Sequence, residues 1–92
     1  MEIFESVNPA NGKPAFTTPG LDEAEIERRL GRAEQAARRW PAAPLAERST
    51  LLRAAAGLLR ERADDLARLA ALEMGKPVAQ GRAEVEKCAL VC

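Results

Sequence analysis

Apolar and polar positions change rhythm about twenty residues into this 92-residue chain. Before that point, Ile3-Phe4-Glu5-Ser6-Val7 and Ala15-Phe16-Thr17-Thr18 are rich in β-branched and aromatic residues. The segment between them, Asn8-Pro9-Ala10-Asn11-Gly12-Lys13-Pro14, holds the residues that turn a chain. Proline presets φ for the first corner, and Asn-Gly supplies the positive φ that closes it. The pattern predicts two short strands joined by a tight loop, a β-ribbon over residues 1–20. A lone two-stranded ribbon is marginal in water, so this one needs a surface to lie on.

From Leu21 onward the period is helical, and a helical segment is expected over residues 21–92. Asp22 is the expected N-cap of a first helix, with Glu25 at the capping-box spacing. Ile26, Leu30, Ala33, Ala37 and Trp40 recur at alternating four- and three-residue steps and form one stripe, with Glu23, Glu27, Glu34 and Arg38 largely off it. Trp40-Pro41 ends that helix. Pro44 suits the first turn of a second, whose apolar face is Leu45, Leu51, Leu52, Ala55, Leu58 and Leu59. Ala63-Asp64-Asp65 places carboxylates at a third helix start, followed by Leu66, Leu69, Ala70, Leu72 and Met74. Gly75 fits the left-handed position past a helix end, and Pro77 opens a fourth helix. There Val78, Gly81, Val85, Cys88 and Cys92 repeat with a heptad-like step. The pattern stops at Cys92 without Gly, Asn or a basic last turn, so a helical segment incomplete at its C-terminal end is expected.

Composition narrows the function. Fourteen Lys+Arg balance fourteen Asp+Glu. With no net field, and with acidic neighbours beside Arg28-Arg29 and Arg38-Arg39, nucleic acid and anionic membranes are not expected partners. Met1-Glu2-Ile3-Phe4-Glu5 lacks the features of a signal peptide, and no stretch nears the ~20 apolar residues of a membrane span; a cytoplasmic protein is expected. Cys88 and Cys92 are then reduced thiols. Four residues apart on one helix they are poorly placed for a disulfide, and two thiolates do not complete a zinc site, so a pair of buried apolar side chains is expected.

The chain contains no histidine, which removes a His-based triad, imidazole metal ligands and a base poised near neutrality. The six glycines are scattered, with no G-x-G-x-x-G and no Walker-type loop. Carboxylates sit mostly at i,i+3 or i,i+4 to arginines, the spacing of exposed helix ion pairs. From residues alone the chain reads as a β-ribbon plus helices, not catalytic by itself.

Three stretches then stand out together: Val7-Asn8-Pro9-Ala10-Asn11-Gly12, Pro44-Leu45-Ala46-Glu47-Arg48 and Leu72-Glu73-Met74-Gly75-Lys76-Pro77. With Glu84-Val85-Glu86-Lys87-Cys88 following, their order and separation resemble the opening of the aldehyde dehydrogenase superfamily, and most its succinate-semialdehyde dehydrogenase branch. The resemblance covers essentially the whole chain. It implies an α+β fragment of an α/β protein, in which the ribbon and about four amphipathic helices belong to the cofactor-binding domain and pack beside its Rossmann-like sheet. In the family a cysteine thiolate attacks the aldehyde, hydride passes to NAD or NADP, and a glutamate-activated water hydrolyses the thioester. Those residues, and the nicotinamide-site glycines, fall in segments beyond Cys92. Cys88 and Cys92 are on the wrong motif to be the nucleophile.

Two further expectations follow from the resemblance. A monovalent-cation site of many members maps onto Ser6, the backbone carbonyl of Val7 and the side chain of Glu73, a donor set of the kind a hard cation prefers. The expected partners are the rest of a dehydrogenase chain or another copy in a homo-oligomer; NAD or NADP is expected to serve the longer parent and not to bind this chain alone. The competing expectation is an autonomous helical interaction module that pairs its Ile26-Leu30-Ala33-Ala37-Trp40 stripe with a copy of itself.

Overall fold

A computed structural model describes residues 2–92. Strand β1 (Ile3–Val7) and strand β2 (Pro14–Pro19) form an antiparallel two-stranded sheet. Ile3 pairs with Pro19 and Ser6 with Phe16, and the register shifts by a bulge between Ser6 and Val7. The loop is built by its asparagines. The Asn8 side-chain oxygen accepts from the Ala10 N–H at 2.9 Å, and the Asn11 side chain accepts from the Lys13 N–H at 2.9 Å. Gly12 takes φ +71°, the left-handed conformation that a side chain would strain.

Four helices follow: α1 (Glu23–Arg39), α2 (Leu45–Glu61), α3 (Ala63–Met74) and α4 (Val78–Val91). Asp22 caps α1 as expected, its carboxylate accepting from the Glu25 N–H at 2.8 Å. The reciprocal half of the capping box does not form, because the Glu25 carboxylate turns to Arg28 and Arg29. A 3-10 turn, Trp40–Ala42, holds Pro41 in its first turn, where no N–H is required. Between α2 and α3 only Arg62 leaves helical geometry. Gly75 stands past the end of α3 at φ +73°, and its N–H donates to the Ala71 carbonyl at 3.0 Å, the left-handed cap that the sequence predicts.

The core is made of small residues: Ala56, Ala63, Ala67 and Ala89 are the buried apolar side chains among the described residues. Helix α4 folds back along α3 and also lies against α2. A Cβ at Gly81 would stand 3.2 Å from the Ala67 Cα, so the two backbones meet where neither residue carries a long side chain. The fully covered Ala67 marks that crossing. Arg82 pairs with Asp64, and Arg60 with Glu86 at 3.5 Å, across the same seams.

This packing corrects the expectation for the cysteines. Cys88 and Cys92 are free thiols and exposed. The inward face of α4 runs in steps of four, through Gly81, Val85 and Ala89. A straight helix advances 3.6 residues per turn, and the small residues that permit close approach take the seam. Cys88, immediately before Ala89, is turned off that line.

The remaining apolar residues have little to cover them. No residue of α1 is buried, and Leu30 is 59% exposed. The chain is a slab 48 × 36 × 14 Å with a radius of gyration of 17.3 Å, where a compact domain of this length would have about 12 Å. Its accessible surface is 7430 Å², about 2,200 Å² more than the roughly 5,200 Å² of a compact protein of this mass.

Candidate functional site

The corner where the ribbon meets α3 brings together residues from distant parts of the sequence. Pro9, in the ribbon loop, packs on Gly75: a Cβ at position 75 would lie 3.0 Å from the Pro9 ring. Gly75 is therefore doubly required, for its left-handed φ and for the space above it. Just below, the Ser6 hydroxyl donates to a Glu73 carboxylate oxygen at 3.5 Å, 67 residues apart in sequence. That length is at the outer limit of hydrogen bonding, so the pair is a loose contact between two oxygens.

Lys76 closes the corner on the other side. Its ammonium contacts both carboxylate oxygens of Glu84, at 2.5 Å each, and its side chain is 17% exposed. For an ammonium so covered, the carboxylate replaces part of the lost water. The clamp ties the loop after α3 to the second turn of α4. Thus three of the four sequence motifs converge: the Asn8-Pro9 loop on Gly75, and Lys76 on Glu84. The fourth, Pro44-Leu45-Ala46-Glu47-Arg48, opens α2. The Arg48 N–H donates to the Pro44 carbonyl at 3.1 Å, while its side-chain Nε is buried without a partner.

Of the predicted cation ligands, the fold joins Ser6 and Glu73, and Val7 follows Ser6 across the bulge. Two oxygens 3.5 Å apart have the separation of adjacent ligands each about 2.5 Å from one hard cation. In kind and spacing Ser6 and Glu73 suit two adjacent positions of such a shell, one of them a carboxylate. Among the described residues no group of three or more His, Cys, Asp or Glu side chains could hold a metal ion. Nothing in this corner resembles a nucleophile with its base. The Pro9–Gly75 contact and the Lys76–Glu84 clamp escaped prediction; the signal for both was a glycine, then Lys-Pro, directly after an apolar helical run.

The family model for the aldehyde dehydrogenase family matches residues 1–92. The chain belongs to the aldehyde dehydrogenase family. Its ribbon and four helices are those expected of an α+β piece of an aldehyde dehydrogenase domain. Among curated relatives it is 43% identical over 88 residues to the succinate-semialdehyde dehydrogenase [NADP(+)] of Deinococcus radiodurans, covering 96% of this chain and 18% of that protein. It is 40% identical over 87 residues to a probable succinate-semialdehyde dehydrogenase [NADP(+)] of Synechocystis, covering 95% of this chain and 19% of that one. This dehydrogenase segment therefore spans less than a fifth of the length of the curated relatives it matches. No helix among its described residues is long and apolar enough to cross a membrane.

Proposed function

We propose that these 92 residues are a supporting segment of an NADP+-dependent aldehyde dehydrogenase that oxidises succinate semialdehyde to the acid, and that they hold none of its catalytic groups. One observation carries the reading: a family match along the whole chain coincides with a slab whose buried core is alanine and whose large apolar side chains face outward. Such a slab is built to be covered. The likeness to two NADP+-dependent succinate-semialdehyde dehydrogenases supports the substrate and cofactor. The supporting role places the ribbon and helices against the cofactor-binding sheet, outside the aldehyde pocket. There the Pro9–Gly75 contact and the Lys76–Glu84 clamp fix the ribbon, α3 and α4 as one unit. The same corner provides Ser6, the Val7 carbonyl and Glu73 toward a monovalent cation, which would cross-link ribbon and helix by charge.

An autonomous module that pairs with itself is the weaker reading, on grounds of area. A standard interface covers about 800 Å² on each partner, and this chain carries about 2,200 Å² more surface than a compact protein of its mass. Pairing would leave most of that surplus in water.

The test is direct. The complete polypeptide carrying these residues and the 92-residue chain are purified separately and assayed for NADPH formation with succinate semialdehyde. Turnover is expected from the complete polypeptide alone. Turnover by the 92-residue chain overturns the non-catalytic assignment, and a complete polypeptide that oxidises no aldehyde overturns the activity.

A further inference from the structure

The exposed apolar side chains are not uniform in their surroundings, and one residue among them is chemically out of place. Arg48 lies in the first turns of α2, half-buried, and its Nε is the one buried side-chain nitrogen or oxygen without a hydrogen-bond partner among the described residues. Its neighbours on the same helix face are apolar. Helical spacing puts Leu45 three residues before it and Leu51 and Leu52 three and four after it, on the same face. These leucines are 73%, 56% and 47% exposed. Trp40 and Leu51, with Ala46, Ala54 and the polar Glu47 and Thr50, line an open groove of about 500 Å³ beside this face.

A guanidinium whose Nε is already withdrawn from water, on a helix face it shares with exposed leucines, matches the anatomy of an interface anchor, in which covering the apolar patch desolvates the rest of the charged group. Such a charge needs compensation. A neutral carbonyl would satisfy the N–H but leave the positive charge uncompensated, whereas a carboxylate satisfies both and can do so through two parallel hydrogen bonds. We infer that the Leu45–Arg48–Leu51–Leu52 face, with the Trp40 groove, is the docking surface for a segment of the same polypeptide outside these 92 residues, an apolar segment carrying one carboxylate that pairs with Arg48.

The choice of occupant rests on the dehydrogenase reading above and on two quantities. The relatives are about five times as long as this chain, so most of such a polypeptide lies outside it. The surplus surface of about 2,200 Å² also exceeds the roughly 800 Å² that a second copy would cover.

The experiment uses the complete polypeptide with p-benzoylphenylalanine in place of Leu51, irradiated and digested, with cross-linked peptides identified by mass spectrometry. The expected product is a link within one chain, to a peptide beyond residue 92 that contains Asp or Glu. A link between two chains, or no link, overturns the assignment. In parallel, Arg48→Met and Arg48→Lys are compared by thermal unfolding, with Arg38→Met, which loses only an exposed pair with Glu34, as control. Arg48→Met is expected to lower Tm by about 5 °C or more, Arg48→Lys by less, and the control by about 1 °C at most. An Arg48→Met protein as stable as the parent removes the carboxylate from the proposal; should that variant fail to fold, the cross-link decides. The same preparation is assayed for NADPH formation. An inactive protein with the intrachain link counts against the dehydrogenase reading and supports the anchor.

Discussion

Helix α1 and the α3–α4 pair have similar sequence credentials and opposite fates. All have apolar positions at helical spacing, and α1 is the more amphipathic and has the better ends, with Asp22 as a capped start and Arg38-Arg39 in its last turn. Yet α1 buries no residue, whereas Ala63, Ala67, Gly81 and Ala89 are buried where α3 and α4 meet or close by. The difference lies in what each face can reach. A three-residue loop returns α4 onto α3, so its partner is local and close approach needs only small side chains. The stripe of α1 is broad and large, Ile26, Leu30 and Trp40, and no comparable surface within these residues answers it. A well-formed helix is thus a matter of its own sequence, while a buried one requires a partner of matching shape.

The largest expected effect breaks the packed side of that contrast. At Gly81 a Cβ would meet the Ala67 Cα at 3.2 Å and its Cβ at 3.3 Å. Gly81→Leu must then push α4 off α3, and overpacking of about 3 kcal/mol exceeds the gain of about 1 kcal/mol from replacing a helical glycine, for a net loss near 2 kcal/mol. Urea unfolding followed by helicity measures it, and an unchanged midpoint would mean that α3 and α4 do not depend on close approach at Gly81. Gly31, inside α1, is the counterpart: a Cβ there meets nothing within 4 Å. Gly31→Ala should raise stability by about 1 kcal/mol through propensity alone. A loss in the complete polypeptide, beside a gain in this chain, would locate a covering surface at that position.

These two glycines also show how far the sequence could be read. All four helices, the ribbon, the Asp22 cap and the left-handed Gly75 follow from local chemistry and occur as expected, because capping and turn residues act over a few positions. The seam between α3 and α4 followed from periodicity only in its first half: the heptad-like step names Gly81 and Val85, which line it, and then Cys88 and Cys92, where the fold buries Ala89. Small residues were the true signal: a hydrophobic pattern weights the larger side chain, whereas a close helix crossing favours the smaller. At the candidate site, Ser6 and Glu73 came from family likeness, and only the fold could show them 3.5 Å apart. Arg48 stood out only as part of a family-like stretch, since its isolation depends on neighbours that no local rule supplies.

Smaller effects sharpen the exposed side. Asp22→Ala removes the acceptor for the Glu25 N–H and should cost about 1 kcal/mol, with fraying at the start of α1. Amide exchange of residues in the first turn is the appropriate measurement. If protection there is unchanged while the rest of α1 loosens, the helix is held by contacts and not by its cap.

The smallest effect tests the charges that let α1 stand in water. Arg29 donates from Nε to one Glu25 oxygen at 2.8 Å, and Arg28 donates to the other from Nε at 2.9 Å and Nη2 at 2.6 Å. The bond from Arg29, then that from Arg28, holds the Glu25 carboxyl below the ordinary carboxylate value, against a smaller opposing effect of burial. A depressed folded value means that the ionised form is favoured by folding. The contribution is therefore complete above the unfolded value of about 4.3 and disappears as pH falls through the lower folded value. All the groups are near the surface, so salt should shrink the effect. Carbon-detected NMR of the Glu25 carboxyl should give a midpoint below the ordinary glutamate value at low ionic strength, moving toward it at 1 M salt. A midpoint at the ordinary value at low salt would show that the two arginines do not hold the carboxylate, leaving α1 dependent on its cap and on whatever covers its stripe.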